Sequence, residues 1–146
     1  FDASVFLQGV GKRDYMFSSA SNYFWGFAGN QEHSTYYTIH TDRWSEDNPD
    51  GYYPRAYFNT TKNQLPQTRY LQNASYMRIK NLQLGYTLPK TITDKIKFQR
   101  ARLFINVENL ATFTSLPDII DPEIISPDAK IYPLRRTWGV GANITF

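Results

Sequence analysis

The amino-acid sequence predicts an all-β fold in which antiparallel strands form the C-terminal segment of a large transmembrane β-barrel. This prediction rests on long segments of alternating apolar and polar residues and on connections of very unequal length. Successive side chains of a strand point to opposite faces, so such an alternation marks a strand with one apolar and one polar face.

The alternation occurs in four segments of the chain. They lie at about residues 1–13, 76–88, 101–113 and 134–146. In the second segment the apolar parity changes near Lys80. This change predicts either a β-bulge, which re-aims a strand, or an upper half that stands above the apolar zone.

The last segment keeps its alternation to the final residue. Its apolar parity is predicted to face lipid and to take part in assembly, and it comprises Trp138, Val140, Ala142, Ile144 and Phe146. Arg136 shares this parity, and we expect it at or above the outer interface, where a long cationic side chain reaches headgroups.

The connections predict which ends of the strands face outward. Long connections at about 14–75 and 114–133 are expected outside the cell, and the short link at about 89–100 in the periplasm, because barrels place their longer loops outside. Within the first loop, "TYYTIHT" at 35–41 is interpreted as a short extra strand. Residues 91–98 are expected to form a helical turn at most.

Two environments fit an apolar strand face. In a soluble sandwich the apolar faces pack against each other, whereas in an outer-membrane barrel they face lipid and the polar faces line a wet lumen. The segments at 101–113 and 134–146 exceed the 5–6 residues or so of ordinary strands, which favours the barrel. Because a sheet in hydrocarbon must close, and single-chain barrels begin at about eight strands, the chain is predicted to be part of a larger barrel.

Composition excludes several classes of protein. The mean hydropathy is −0.52, and no run approaches the roughly 18 apolar residues of a spanning helix. There is no cysteine, and the net charge of +3 is dispersed rather than gathered in a block, so no nucleic-acid partner is predicted. The chain opens without an initiator Met or a signal pattern, and we therefore expect it to be a fragment.

Several stretches together resemble the C-terminal end of the SusC/RagA family of TonB-dependent outer-membrane transporters. They are "VFLQGVGKRD", "HTDRWSEDNPDGYYPRA", "YMRIKNLQLGYTLPK", "RLFINVENLATFT", "DPE" and "YPLRRTWGVGANITF". The resemblance covers nearly the whole chain, in order and at sensible spacing.

The resemblance implies a barrel of about 22 strands with a plugged lumen, in the outer membrane of a Gram-negative bacterium. It implies a SusD-like surface lipoprotein as partner, and oligosaccharide or peptide nutrients as substrates. Coupling to the TonB system is expected only through N-terminal parts that this chain lacks. A terminal aromatic at Phe146 resembles the signal that the outer-membrane assembly machinery reads.

No catalytic, cofactor or metal site is predicted. A Gly-rich phosphate loop, a nucleophile elbow and a Ser/His/Asp set are not recognisable. His33 and His40 are interpreted as surface or hydrogen-bonded side chains. The acidic run at 42–50 misses the calcium-loop spacing, and the prolines among Asp118, Asp121 and Glu123 indicate a shaped loop.

The aromatic residues of the long loop are the candidate binding residues. They are Tyr36, Tyr37, Trp44, Tyr52, Tyr53, Tyr57 and Phe58. Three interpretations remain open: the rings bury one another, they contact the lid lipoprotein, or they stack on sugars. The competing function is a soluble carbohydrate-binding β-module that uses the same rings; an unrelated hydrolase fragment is a further alternative.

Overall fold

The chain forms two compact units in a computed structural model. The first, which we call the sheet unit, comprises 1–11, 76–114 and 134–146; the second, the loop unit, comprises 12–75 and 115–133. The structure describes residues 1–19, 21–26, 36–55, 57, 62–125, 132 and 134–146. No helix within these ranges has the length and apolar character needed to cross a membrane.

Strands dominate the described secondary structure. They are β1 (Asp2–Val10), β2 (Asp14–Met16), β3 (Leu71–Asn73), β4 (Tyr76–Thr87), β5 (Arg100–Thr114) and β6 (Thr137–Thr145). The α-helices are α1 (Asn22–Trp25) and α2 (Lys90–Thr93), and 3-10 turns lie at Thr38–Thr41, Lys62–Gln64, Thr68–Tyr70 and Asp94–Ile96. The sheet unit holds β1, β4, β5 and β6 as one antiparallel sheet in the order β1-β4-β5-β6, and β2 pairs with β3 in the loop unit.

One face of the sheet is apolar across all four strands. Directly opposed residues of neighbouring antiparallel strands share a face. One such row joins Ala3, Leu84, Ile105 and Val140, and the adjacent row on this face joins Val5, Leu82, Val107 and Trp138. The side chain of Val140 is 82% exposed and that of Trp138 is 65% exposed. The apolar face is therefore an open surface of the described chain.

A β-bulge keeps this apolar face continuous at the point where the sequence parity changes. Lys80 has no opposed residue on β1, where Phe6 pairs with Asn81 and Leu7 with Ile79. On β5 the register shifts again at the same level, between Glu108 and Ala111. Asn109 in this stretch has φ 51°, a left-handed conformation that Asn adopts more readily than most residues. The bulge predicted near Lys80 is confirmed.

The bulge has a direct effect on which residues face which way. Leu7 and Val5 share a parity on β1, so their partners Ile79 and Leu82 also lie on one face although their own parities differ. Above the bulge, Met77 and Phe113 continue the apolar face and are exposed. Without the extra residue these two side chains would turn to the polar face.

The polar face carries an ion pair that spans β4. Arg102 on β5 forms a salt bridge with Asp2 on β1, and its Nε donates to Asp2 Oδ1 at 3.1 Å. Gly85 of β4 lies beneath, and a Cβ there would meet both Asp2 and Arg102. The missing side chain at Gly85 therefore lets two non-adjacent strands contact each other.

Two further side chains of β5 lie across glycines of β6. The ring of Phe104 covers Gly141 and the amide of Asn106 covers Gly139, since an added Cβ would meet each of them. The guanidinium carbon of Arg102 stands 5.3 Å from the centroid of the Phe104 ring. Phe6 also lies on this face, opposite Asn81, so the face is polar but not free of aromatic residues.

The short link between β4 and β5 folds into a tight cap. Helix α2 and the 3-10 turn after it end at Lys97, which has φ 59°. The amide of Phe98 then donates to the carbonyl of Thr93 at 3.0 Å. The ring of Phe98 packs edge-on against Phe146 with centroids 5.1 Å apart, which ties the last residue to this link.

The extra strand predicted at 35–41 is wrong. Thr38–Thr41 form a 3-10 turn in which the amide of His40 donates to the carbonyl of Tyr37 at 3.0 Å. This turn buries His40, and no strand forms over 36–41, the part of the stretch that the structure describes. In the described part of the loop unit the short strands are β2 and β3, near the two ends of its 12–75 segment.

The contact between Phe104 and Gly141 yields a test by double mutation. Gly141→Ala places a methyl group against the Phe104 ring and is expected to cost about 1–3 kcal/mol through overpacking. In a Phe104→Ala background most of that cost should disappear. The measurement is the temperature at which the folded, heat-modifiable form of the full-length protein is lost.

A matched control is Gly11→Ala, because a Cβ at Gly11 meets no heavy atom within 4 Å. We expect this variant to melt like the wild type. Additive effects of Gly141→Ala and Phe104→Ala would contradict the packing described.

Candidate functional site

The loop unit is organised around buried aromatic rings. Its core comprises Phe17, Phe24, Trp25, Tyr53, Tyr70, Ala74, Leu116 and Ile120. Phe24 stacks on Phe17 with centroids 4.8 Å apart and meets Trp25 edge-on at 5.0 Å. Buried aromatic pairs of this geometry stabilise beyond their burial of apolar area, so a polar loop gains a core of its own.

Helix α1 places its two largest side chains in this core. The indole Nε1 of Trp25 donates to the carbonyl of Ser18 at 2.9 Å, which satisfies the one polar atom of the ring. Tyr70 packs edge-on against Trp25 with centroids 4.9 Å apart. Leu116 and Ile120 reach the core from the second segment of the unit, and Arg13 Nη1 donates to the carbonyl of Pro122 at 3.2 Å.

His40 is a buried polar residue at the centre of the unit. Its side chain is 0% exposed, and the Tyr37 amide donates to its Nδ1 at 3.1 Å. Since Nδ1 accepts, the proton of the neutral ring lies on Nε2, which donates to the carbonyl of Phe24 at 3.1 Å. Gly26, at φ +53°, lies against the ring, and a Cβ there would meet it. Burial lowers the pKa of His40 below its ordinary value.

A compact turn follows at residues 42–53. The amide of Trp44 donates to the carbonyl of Tyr53 at 2.8 Å, and the amide of Tyr53 donates to the carbonyl of Asp42 at 2.9 Å. The side-chain amide of Asn48 bridges inside the turn to Asp42 Oδ1 at 3.3 Å and to the Arg43 carbonyl at 3.2 Å. Arg69 closes the far side through Nη2, which donates to the Gly51 carbonyl at 2.9 Å. Several polar groups of the run that resembles a cation loop in composition, those of Asp42, Ser45 and Asn48, are thus used in hydrogen bonds inside the turn.

The structure divides the candidate aromatic residues into two groups. Tyr53 is buried in the core, and burial raises its pKa above the ordinary tyrosine range. Tyr37 and Tyr52 are half-buried beside that core. For Tyr53, the ring is therefore a structural element and is not available to a ligand. Phe58 lies outside the described residues.

The second group lies at the surface of the loop unit. Tyr36 and Tyr57 are exposed, and Trp44 is half-exposed. Each has a guanidinium group over its ring: Arg43 stands 5.5 Å from the centroid of Tyr36, and Arg55 stands 5.6 Å from Trp44 and 5.7 Å from Tyr57. These distances are those of cation–π contacts. The arginines were not singled out by sequence reasoning, although Arg43 directly precedes Trp44.

A small polar cavity opens next to these contacts. It has a volume of about 290 Å³ and is lined by Arg43, Trp44, Ser45, Glu46 and Arg55. The lining thus combines two cationic side chains, one carboxylate, one hydroxyl and one large ring. Such a set suits a small ligand that carries both charge and hydroxyl groups.

The candidate lipid-facing residues lie on β6 and at its end. Trp138, Val140, Ala142 and Ile144 pair with the apolar parity of β5, through Val107, Ile105, Leu103 and Ala101. Phe146 is 79% exposed although one edge contacts Phe98. The surface they form is uninterrupted and apolar.

No metal centre is formed by the part of the chain that the structure describes. Within those ranges, no group of three or more His, Cys, Asp or Glu side chains is arranged to hold an ion. His40 uses both ring nitrogens in hydrogen bonds to backbone groups, and His33 lies outside the described residues.

Comparisons with known proteins identify what the chain is similar to. No family model matches it. TonB-dependent receptor P3 of Formosa agariphila is 34% identical over 116 residues, which are 70% of this chain and 11% of that protein. TonB-dependent receptor P26 of the same bacterium is 26% identical over 158 residues, covering 99% of this chain and 15% of that protein. The chain thus spans less than a sixth of the length of these relatives.

Solved structures agree with this similarity at the level of the fold. The RagAB peptide importer in the open-open state covers 99% of this chain with a TM-score of 0.63 at 23% identity, and this region is 15% of that chain. Another structure of the RagAB peptide transporter gives a TM-score of 0.62 at 23% identity over 99% of this chain and 16% of that one.

The open antiparallel sheet, with one apolar and one polar face, is a fragment of a larger β-barrel. This confirms the predicted fold class. The chain corresponds to a segment of a SusC/RagA-like TonB-dependent receptor, as its sequence motifs indicate.

The hydrogen bonds of His40 predict how the loop unit responds to pH. Protonation would place an N–H at Nδ1 opposite the Tyr37 amide, so two donors would face each other. Because the pKa of His40 is lowered by folding, its contribution to stability is complete above about pH 6.5, the ordinary His value. That contribution is lost as the pH falls toward the lower pKa of the folded state.

The measurement is hydrogen exchange of the backbone at 36–41 in the full-length protein, corrected for intrinsic rates, at pH 7.5 and 5.0. We expect less protection at pH 5.0. His40→Gln, which does not titrate, is the control and should show no such difference. Equal protection of the wild type at both values would refute the assignment.

Proposed function

We propose that the chain is part of an outer-membrane transporter that imports bulky nutrients, either oligosaccharides or peptides, into a Gram-negative bacterium. The observation that carries this proposal is the apolar face that runs unbroken from β1 to β6 and is exposed. Such a face against lipid, backed by a polar face against a wet lumen, is the arrangement of a transmembrane barrel.

In such a barrel the sheet, the connections and the last residue each have a different environment. The apolar face contacts outer-membrane lipid. The connections at about 14–75 and 114–133 reach the cell exterior, and the link at about 89–100 faces the periplasm. Phe146 contributes to recognition by the assembly machinery, and its contact with Phe98 supports an ordered position for the last residue.

Partners follow from the same family likeness. A SusD-like surface lipoprotein is proposed to work with the full-length protein, and the TonB system is proposed to act through its N-terminal parts. The RagAB neighbours, which are described as a peptide importer, support a peptide as one class of substrate. Transport and not catalysis is the proposed activity, in keeping with relatives that are receptors by name.

A soluble carbohydrate-binding module fits the structure less well. Such a module requires the apolar strand faces to pack against one another. In the described residues the apolar face of β6 is instead exposed, with Val140 at 82%. One of the candidate sugar-binding aromatic residues, Tyr53, is buried in the core of the loop unit, and Tyr52 packs against that core.

The proposal is tested in the native bacterium with the full-length gene. Deletion is expected to abolish growth on one class of oligosaccharide or peptide and to leave growth on its monomers unchanged. An affinity-tagged copy should fractionate with the outer membrane and co-purify a surface lipoprotein. Recovery of the tagged protein in the soluble fraction would overturn the proposal.

One pair of substitutions tests the orientation of the two faces. Val140→Arg puts a cation on the lipid-facing side, where such a group costs about 2–4 kcal/mol near the bilayer midplane. We expect a severe loss of assembled protein, measured by surface labelling and heat-modifiable migration. Ser4→Arg is the control, since Ser4 lies on the polar face one row away from Val140.

Deletion of Phe146 is expected to reduce assembly as well, because it removes both the terminal aromatic and its contact with Phe98. Ser4→Arg should assemble normally. If Val140→Arg and Ser4→Arg assemble equally well, the two faces do not differ in environment and the barrel orientation is wrong.

A further inference from the structure

The cavity beside Trp44 has a chemical character that the proposed transport function does not by itself require. We propose that the cavity lined by Arg43, Trp44, Ser45, Glu46 and Arg55 binds one acidic sugar residue of an anionic oligosaccharide. The inference rests on the proposed import function and specifies its substrate class.

The two arginines are the groups that would bind the acid. Arg55 is held between the rings of Trp44 and Tyr57, at 5.6 and 5.7 Å from their centroids. Arg43 lies over Tyr36 at 5.5 Å. A guanidinium group carries five N–H donors in a planar fork. That fork matches the two oxygens of a carboxylate in a bidentate pair.

The rings also reduce the cost of binding. A long arginine side chain loses conformational freedom when a ligand fixes it. Cation–π contacts restrict both side chains before the ligand arrives. Tyr36 is itself fixed, since its hydroxyl donates to the carbonyl of His40 at 3.0 Å. The backbone of Trp44 is held by the hydrogen bond that its amide donates to the carbonyl of Tyr53 at 2.8 Å.

The remaining lining distinguishes a sugar acid from other anions. The carboxylate of Glu46 only accepts hydrogen bonds. The hydroxyl of Ser45 accepts from the Asn48 amide at 3.0 Å, which leaves its O–H as a donor. A sugar acid presents one carboxylate and several hydroxyl donors on a single ring, which this set can satisfy within one small volume. At about 290 Å³ the cavity is at the small end of ligand sites, which suits one ring and not a whole oligomer.

An acidic peptide satisfies the same groups less completely. Its carboxylates sit on separate flexible side chains, and it offers amide donors where Glu46 would receive hydroxyl groups. We therefore infer the sugar acid and treat the acidic peptide as an outcome of the test.

The test uses the detergent-purified full-length protein and three probes. They are oligogalacturonate, the same oligomer with its carboxylates methyl-esterified, and hexaglutamate. Binding is measured by calorimetry at low and at moderate salt. We expect oligogalacturonate to bind, and the esterified oligomer to bind at least tenfold more weakly because it lacks the anion.

Substitutions at the cavity locate the site. Arg55→Gln and Arg43→Gln are each expected to weaken oligogalacturonate binding by about 10- to 100-fold, because each removes charged hydrogen bonds to the carboxylate. Arg55→Lys keeps the charge without the planar fork and should fall between. Lys12→Gln removes the same charge from another exposed position and should bind as the wild type.

The outcomes separate this inference from the transport proposal. Equal binding of both oligogalacturonates, binding of hexaglutamate alone, or unchanged affinity in Arg55→Gln and Arg43→Gln would each overturn the acidic-sugar site. If the protein lies in the outer membrane and supports growth on a neutral oligomer or a peptide, transport stands and only the subsite fails. If the protein is absent from the outer membrane, the transport proposal fails instead.

Discussion

The sheet depends on one constraint, that an apolar side chain at any level of one strand must lie beside apolar side chains of the next. Backbone pairing alone would tolerate several registers. The rows of the apolar face that run from β1 to β6 nevertheless match apolar with apolar, as in the row of Ala3, Leu84, Ile105 and Val140. A strand that slipped by one residue would place polar groups on the apolar face. The constraint therefore selects both the register and the position of the bulge at Lys80.

The opposite face follows a different rule, which is close approach. Glycines at 85, 139 and 141 leave room for longer side chains of β1 and β5 to lie flat across the sheet. The Asp2–Arg102 pair and the ring of Phe104 fill that room. On this face the sheet is thus thin at the glycines of β4 and β6, and thick at Arg102 and Phe104 of β5.

The strands could be predicted from the sequence because each face of a strand has the same environment along its length. The four long strands follow from side-chain parity, and the change of parity near Lys80 left the bulge as one of two explanations, between which the pairing decides. The 3-10 turn at Thr38–Thr41 could not be predicted from so short a stretch, because it is held by the hydrogen bonds of the buried His40. Its partners, the Tyr37 amide and the Phe24 carbonyl, are backbone groups that no side-chain pattern reveals.

The sequence predicted which aromatic residues belong to the candidate site, but it did not predict how they are arranged. Aromatic residues of the long loop were expected to bury one another, to meet a lid or to stack on sugars. Tyr53 belongs to the core, whereas Tyr36, Trp44 and Tyr57 hold arginines at the surface. Sequence order gives no sign that Arg55 lies over Trp44, because the turn at 42–53 brings them together. That turn depends on Asn48, a residue that looked like one acidic-run member among several.

The core of the loop unit draws on two stretches that are far apart along the chain, with Phe17 and Trp25 from one and Leu116 and Ile120 from the other. Neither stretch has a complete core alone. A recombinant chimera that exchanged only the first stretch for that of a relative would leave two halves with mismatched surfaces. Exchange between relatives would therefore preserve this core only when both stretches are transferred together.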